Sequence, residues 1–123
     1  MSNTLFDTAL EIASKYRDTQ EKLIALEMDM VTLRVKAEKF QTRAVSNGYR
    51  TGLINDRNSD TRAAGESLVL QNDQAYQTVL ERKAGLESEI KKTKALLDYW
   101  HNVLMIHRSV LSPDTWRAKN EHS

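Results

Sequence analysis

The chain of 123 residues contains no cysteine. Disulfides, thiolate metal sites and cysteine nucleophiles are therefore excluded, and the usage fits a reducing compartment. Proline occurs once and glycine four times, so long helices can run without the residues that break them. No charge of one sign dominates either, with 18 Lys and Arg against 17 Asp and Glu. A whole-chain field that would select nucleic acid or an anionic membrane is thus missing, and any such role needs a local patch. No apolar run approaches the roughly 18 residues of a membrane span, and Met1 to Asp7 is polar and carries acid instead of base. Gly48 and Gly52 stand alone, without the Lys-Ser/Thr ending of a phosphate-binding loop. What is plentiful is Ala, Leu, Glu, Lys, Gln and Arg, the residues of an all-α protein. A single soluble domain, cytoplasmic and without membrane association, is the expectation.

The longest regular pattern lies between Leu5 and Ala44. Residues Leu5, Ile12, Thr19, Leu26, Leu33 and Phe40 recur every seven, interleaved with Ala9, Tyr16, Leu23, Met30, Ala37 and Ala44. Only Thr19 is neither apolar nor aromatic. A seam kept for nearly six heptads implies one helix of coiled-coil type, about 60 Å long at about 1.5 Å per residue. Asn3 or Thr4 can cap it and Asp7 suits its first turn, while Ser46-Asn47-Gly48 reads as its stop. The first helix is expected over about 4–46.

Residues 47–59 form a loop rich in Asn, Asp, Gly and Arg, in which Tyr49, Leu53 and Ile54 are the expected buried groups, with a brief extended pair around Gly52. Ser59 or Asp60 can cap a short helix over about 60–70 that turns Ala63, Ala64, Ser67, Leu68 and Leu70 to the core. Asn72 or Asp73 then caps a second long helix over about 73–111. Its seam is Tyr76, Val79, Lys83, Leu86, Ile90, Thr93, Leu97, Trp100, Leu104, His107 and Leu111. Ser112-Pro113-Asp114 ends it, and 112–123 is a polar tail carrying Trp116 and His122. Two long helices of similar length imply an antiparallel hairpin, coiled-coil-like, with the short third helix near its turn. Residue 10 should then lie near 108 and residue 44 near 74.

Both long helices carry apolar residues that this pairing leaves in water. On the first these are Ile24, Met28, Val31 and Val35; on the second, Leu96, Val103, Ile106 and Val110, with Tyr99 and Met105 beside them. The short helix cannot cover both sets. A homodimer or higher oligomer, most simply a two-fold dimer with a four-helix core, is the expected solution, and those eight residues are its expected interface.

Little suggests chemistry. His101 follows Asp98 by three residues, a spacing that offers two metal ligands on one helix face, but the second carboxylate-His pair of a di-metal bundle is missing. His107 falls on the seam and is expected to be a hydrogen-bonded core residue. No nucleophile, base and orienting group are flagged together, so neither enzyme activity, nor a cofactor, nor a metal is expected. The turn is different: Arg43, Tyr49, Arg50, Arg57 and Arg62 gather there against Asp56, Asp60 and Glu66. Guanidinium groups pair with phosphate and an aromatic ring stacks on a base, so these five are candidate nucleic-acid contacts. The competing reading, and the favoured one, has Arg57 and Arg62 paired with the neighbouring acids to fasten the loop.

Asn55-Asp56-Arg57-Asn58-Ser59-Asp60-Thr61-Arg62, followed by a long Leu-spaced helix, resembles small helical proteins encoded by bacteriophages and prophages. The resemblance implies a viral or mobile-element origin, and with it a place in the host cytoplasm or the virion. The functional expectation is a non-enzymatic, self-associating interaction or scaffold module. Two alternatives are a nucleic-acid accessory protein of phage replication, recombination or packaging that uses the arginine-rich turn, and a small inhibitor that binds another protein through its apolar helix face.

Overall fold

The computed structural model describes residues 4–111, apart from the side chains of Leu5 and Leu111. The expected tail, with Pro113, Trp116 and His122, lies outside the described residues. The protein is all-α: α1 is Thr4–Arg50, α2 is Ser59–Asn72 and α3 is Gln74–Leu111. The long helix α1 packs against the long helix α3, with α2 as the short third helix of the expected hairpin. Among the described residues there is no strand, so the extended pair expected around Gly52 does not form.

The chain divides into two compact units, one from Met1–Ala25 with Ile90–Ser123 and the other from Leu26–Glu89. In a paired-helix arrangement each layer touches only the layers beside it, which leaves little to bind distant layers into one core.

In the first unit the early turns of α1 meet the late turns of α3. Ala9, Ile12 and Thr19 are buried on one side, Thr93 and Leu104 on the other. Thr19, the polar exception in the seam, donates its hydroxyl to the Lys15 carbonyl at 2.7 Å and so enters the core satisfied. The Tyr16 ring lies 5.8 Å from that of His101, and the Lys15 ammonium lies 5.1 Å from the centre of the Trp100 ring. Both pairs fall within about one helical turn of the expected register.

In the second unit Leu26, Met30, Ala37 and Ala44 of α1 are buried with Val79 of α3 and Ile54 of the loop. The loop is shorter than expected because α1 continues to Arg50. Gly48 stays helical, and Gly52, at φ +80°, supplies the left-handed residue beyond the helix end. Gly48 serves space instead: a Cβ there would meet Ile54 Cδ1 at 2.6 Å and Val69 Cγ2 at 3.1 Å. Gly65 of α2 plays the same part from the opposite side, with Ile54 Cα at 3.2 Å from a Cβ built on it. Ile54, 4% exposed, is thereby held between two glycines, and its N–H donates to the Gly48 carbonyl at 3.1 Å.

That close approach decides which side of α2 faces inward. Gly65, Glu66, Val69 and Leu70 are half-buried, whereas Ala63, Ala64, Ser67 and Leu68 are exposed, the reverse of the expected face except at Leu70. Tyr49 and Leu53, expected inside, are also exposed, Leu53 at 72%. Asn58, not Ser59 or Asp60, caps α2, its Oδ1 accepting from the Thr61 N–H and hydroxyl, each at 2.8 Å. Asp73 ends α2 and caps α3 at once: its N–H donates to Leu70 O, and its Oδ1 accepts from the Tyr76 N–H at 2.8 Å. Gln77 Nε2 reaches back to Leu70 O at 2.8 Å, closing the break between the two helices.

Candidate interaction surface

The seam residues of a two-helix pairing are used up in holding the helices together. What remains on the outside is therefore the informative surface. Ile24, Met28, Val31 and Val35 are spaced four, three and four along α1, so they share one face of that helix. All four are open to solvent, Met28 at 66%. On α3, Leu96, Ile106 and Val110 are exposed and Val103 between them is half-buried. Tyr99, 56% exposed, completes a three-four-three-four series with them. Phe6 and Leu10 of α1 are exposed too, a pair the seam pattern passed over because neither occupies a seam position. No side chain among the described residues is wholly sealed from solvent. The cores are thin and apolar surface is left over on both long helices.

The edges of the two stripes differ. On α3 the residues beside the stripe on its outer edge are Ala95, Asn102 and Ser109, all uncharged and exposed. Along α1 the corresponding edges carry Glu27 and Arg34 on one side, with Asp18, Ala25, Thr32 and Lys39 on the other. Glu27 and Arg34 make no ion pair with a described residue of their own chain.

The arginine-rich turn is largely engaged with itself. Arg62 Nε lies 3.2 Å from Asp56 Oδ1, Arg50 Nη2 donates to Asn47 Oδ1 at 3.1 Å, and the Arg43 guanidinium lies 5.4 Å from the centre of the Phe40 ring. Tyr49 Oη donates to Glu66 Oε1 at 2.7 Å, and this bond holds the phenol above its ordinary pKa. Arg57 is exposed, and its backbone N–H donates to Asn55 Oδ1 at 3.0 Å. The five residues do gather in one unit, but the Tyr49 hydroxyl is committed to α2 and Arg62 fastens the loop through Asp56. Of the expected pairing of Arg57 and Arg62 with the neighbouring acids, the Arg62–Asp56 contact is therefore present, whereas Arg57 makes no ion pair with a described residue.

Elsewhere the surface is plain. An open groove of about 500 Å³ in the second unit is lined by Asp29, Thr32, Leu33 and Lys36 of α1 and Arg82, Leu86 and Glu89 of α3. Its two acids and two bases balance, and no nucleophile lies against a base in it. Among the described residues no three His, Asp or Glu side chains converge as a metal site would require. The His101 ring lies against that of Tyr16, tilted by 43° to it. His107 departs from expectation: it is half-buried on the seam, and its Nδ1 is buried without a hydrogen-bond partner. No described helix is long and apolar enough to cross a membrane.

No protein-family model matches this chain, and neither a curated protein nor a solved structure matches it.

Proposed function

We propose that this protein is a non-enzymatic helical interaction module that works by self-association, covering the outer stripes of α1 and α3 against further copies of itself. One observation carries the reading. Large apolar side chains at heptad spacing, Ile24, Met28, Val31 and Val35 on one helix and Leu96, Ile106 and Val110 on another, stand in solvent in the isolated chain. Spacing of this kind fits a helix, because knobs at three-four intervals enter the holes of a facing helix. The four on α1 are 47–66% exposed, so completing the burial of each would contribute roughly half of the 1.5–3 kcal/mol that a fully exposed side chain gains on leaving water.

The test is solution mass with charged substitutions on each stripe. Val103→Glu with Ile106→Glu, and separately Met28→Glu with Val31→Glu, should each lower the assembled mass while helical content by circular dichroism stays unchanged. Retention of the wild-type mass by both variants would contradict the proposal. Short oligonucleotides provide the contrast with the nucleic-acid reading. Binding that weakens steeply with salt, and disappears when Arg43, Arg50, Arg57 and Arg62 become alanine, would displace self-association as the main role.

A further inference from the structure

The charges along α1 go further than the apolar residues, because they select a partner and a direction. Resting on the self-association reading, we propose that the α1 stripe pairs with the α1 stripe of a second copy, antiparallel, with Ile24 facing Val35 of the second copy and Met28 facing Val31 of the second copy. Two-fold symmetry repeats each layer, so four apolar side chains from each chain close one short seam.

In this register the edges match. Glu27 falls opposite Arg34 of the second copy on one flank, and symmetry makes that pair twice. On the other flank Ala25 falls opposite Thr32 of the second copy, two small residues that let the helices approach. The layers beyond would oppose Glu21 and Glu38, which ends the seam at both sides.

Parallel pairing of the same stripe fails on the same residues. It would set Arg34 beside Lys39 of the second copy and leave Glu27 beside Thr32. Opposite charges across the flanks set orientation in paired helices, and like charges exclude the alternative. Pairing α1 with the α3 stripe of another copy is also disfavoured. The outer edge there, Ala95, Asn102 and Ser109, offers no partner to either Glu27 or Arg34.

The absence of cysteine makes the test direct. Chains carrying Ile24→Cys and chains carrying Val35→Cys are mixed and oxidised mildly. Antiparallel pairing brings these two positions together, within the roughly 7 Å between Cα atoms that a disulfide spans. It holds two copies of residue 24 about 16 Å apart along the axis, at about 1.5 Å per residue. The mixture should therefore give the mixed disulfide, and each variant alone should give none. Cross-linking of Ile24→Cys to itself would establish parallel pairing and overturn the proposal. Absence of any cross-link would overturn it as well. If wild-type protein is then still assembled, the self-association reading survives through α3; if wild type is monomeric, both readings fall.

Charge reversal gives an independent reading that does not depend on introduced thiols. Glu27→Arg alone and Arg34→Glu alone should each weaken assembly roughly tenfold, since two attractive contacts become two repulsive ones. Combining the two should restore it. Failure of the combined variant to recover, when both single variants remain helical, would also overturn the antiparallel register.

Discussion

Gly48 and Ile54 sit so close that a single methyl group on the glycine would meet Cδ1 of the isoleucine at 2.6 Å. The contact sets where the loop docks on α1, and Gly65 repeats it from α2. Gly48→Ala should therefore destabilise the protein by about 1–3 kcal/mol, the usual cost of an extra carbon in a packed site. The tip of Ile54 can turn aside, so the smaller end of that range is expected. Urea unfolding measures it, and an unchanged midpoint would mean that the loop is not seated as described.

Gly85 provides the opposite sign from the same residue type. It lies inside α3, and a Cβ there would meet nothing within 4 Å. Gly85→Ala should stabilise the protein by about 1 kcal/mol, because alanine loses less backbone freedom on entering a helix. The two glycine variants in one denaturation series separate space from propensity as the reason each glycine is there.

The Tyr49–Glu66 hydrogen bond has a pH signature. Glu66 accepts the phenol proton and its negative charge opposes ionisation, so the Tyr49 pKa is raised above 10.0. A group whose pKa is higher when folded contributes stability that is fully present below its unfolded value and is lost as pH rises through the folded one. The contact is thus intact at neutral pH and fails in the alkaline range. In an ultraviolet titration, with Tyr49→Phe identifying its signal, Glu66→Ala should move the ionisation of Tyr49 to lower pH. No movement would show that the bond does not persist in solution.

His107 should be replaceable at a gain. Its Nδ1 is buried with no partner, and an unsatisfied buried polar atom typically costs about 1–3 kcal/mol. His107→Leu removes the polar atom and keeps an apolar body on the seam, so the thermal midpoint should rise. A fall would show that the imidazole makes a contact of value through its other nitrogen.

Much of this arrangement was legible in the sequence because long helices advertise themselves by period. Every described seam position of α1 and α3 is buried or half-buried, including Thr19 and Lys83, which composition alone would have placed outside. Three-dimensional contact decided what period could not. The stop at Asn47-Gly48 failed because Gly48 serves Ile54 instead of a left-handed turn. The inner face of α2 differs from the expected one because its weak amphipathic pattern yields to the close approach at Gly65, which no count of apolar residues reveals. Tyr49 and Leu53 looked apolar enough to bury, yet the loop has room for Ile54 and holds Tyr49 by its hydroxyl. The apolar stripes were readable as residues in excess of one seam. Under the proposed pairing, their flanking charges, Glu27 and Arg34 above all, would set the orientation, and that pattern emerges only when the stripe is treated as a second seam with edges of its own.

The central claim, that the outer stripes of α1 and α3 are covered by further copies of the chain, is tested most directly by sedimentation equilibrium of the wild-type protein across a range of concentrations. The result expected is a mass at least twice the 14.1 kDa of one chain, falling towards that value on dilution. A mass of one chain at every concentration would contradict it.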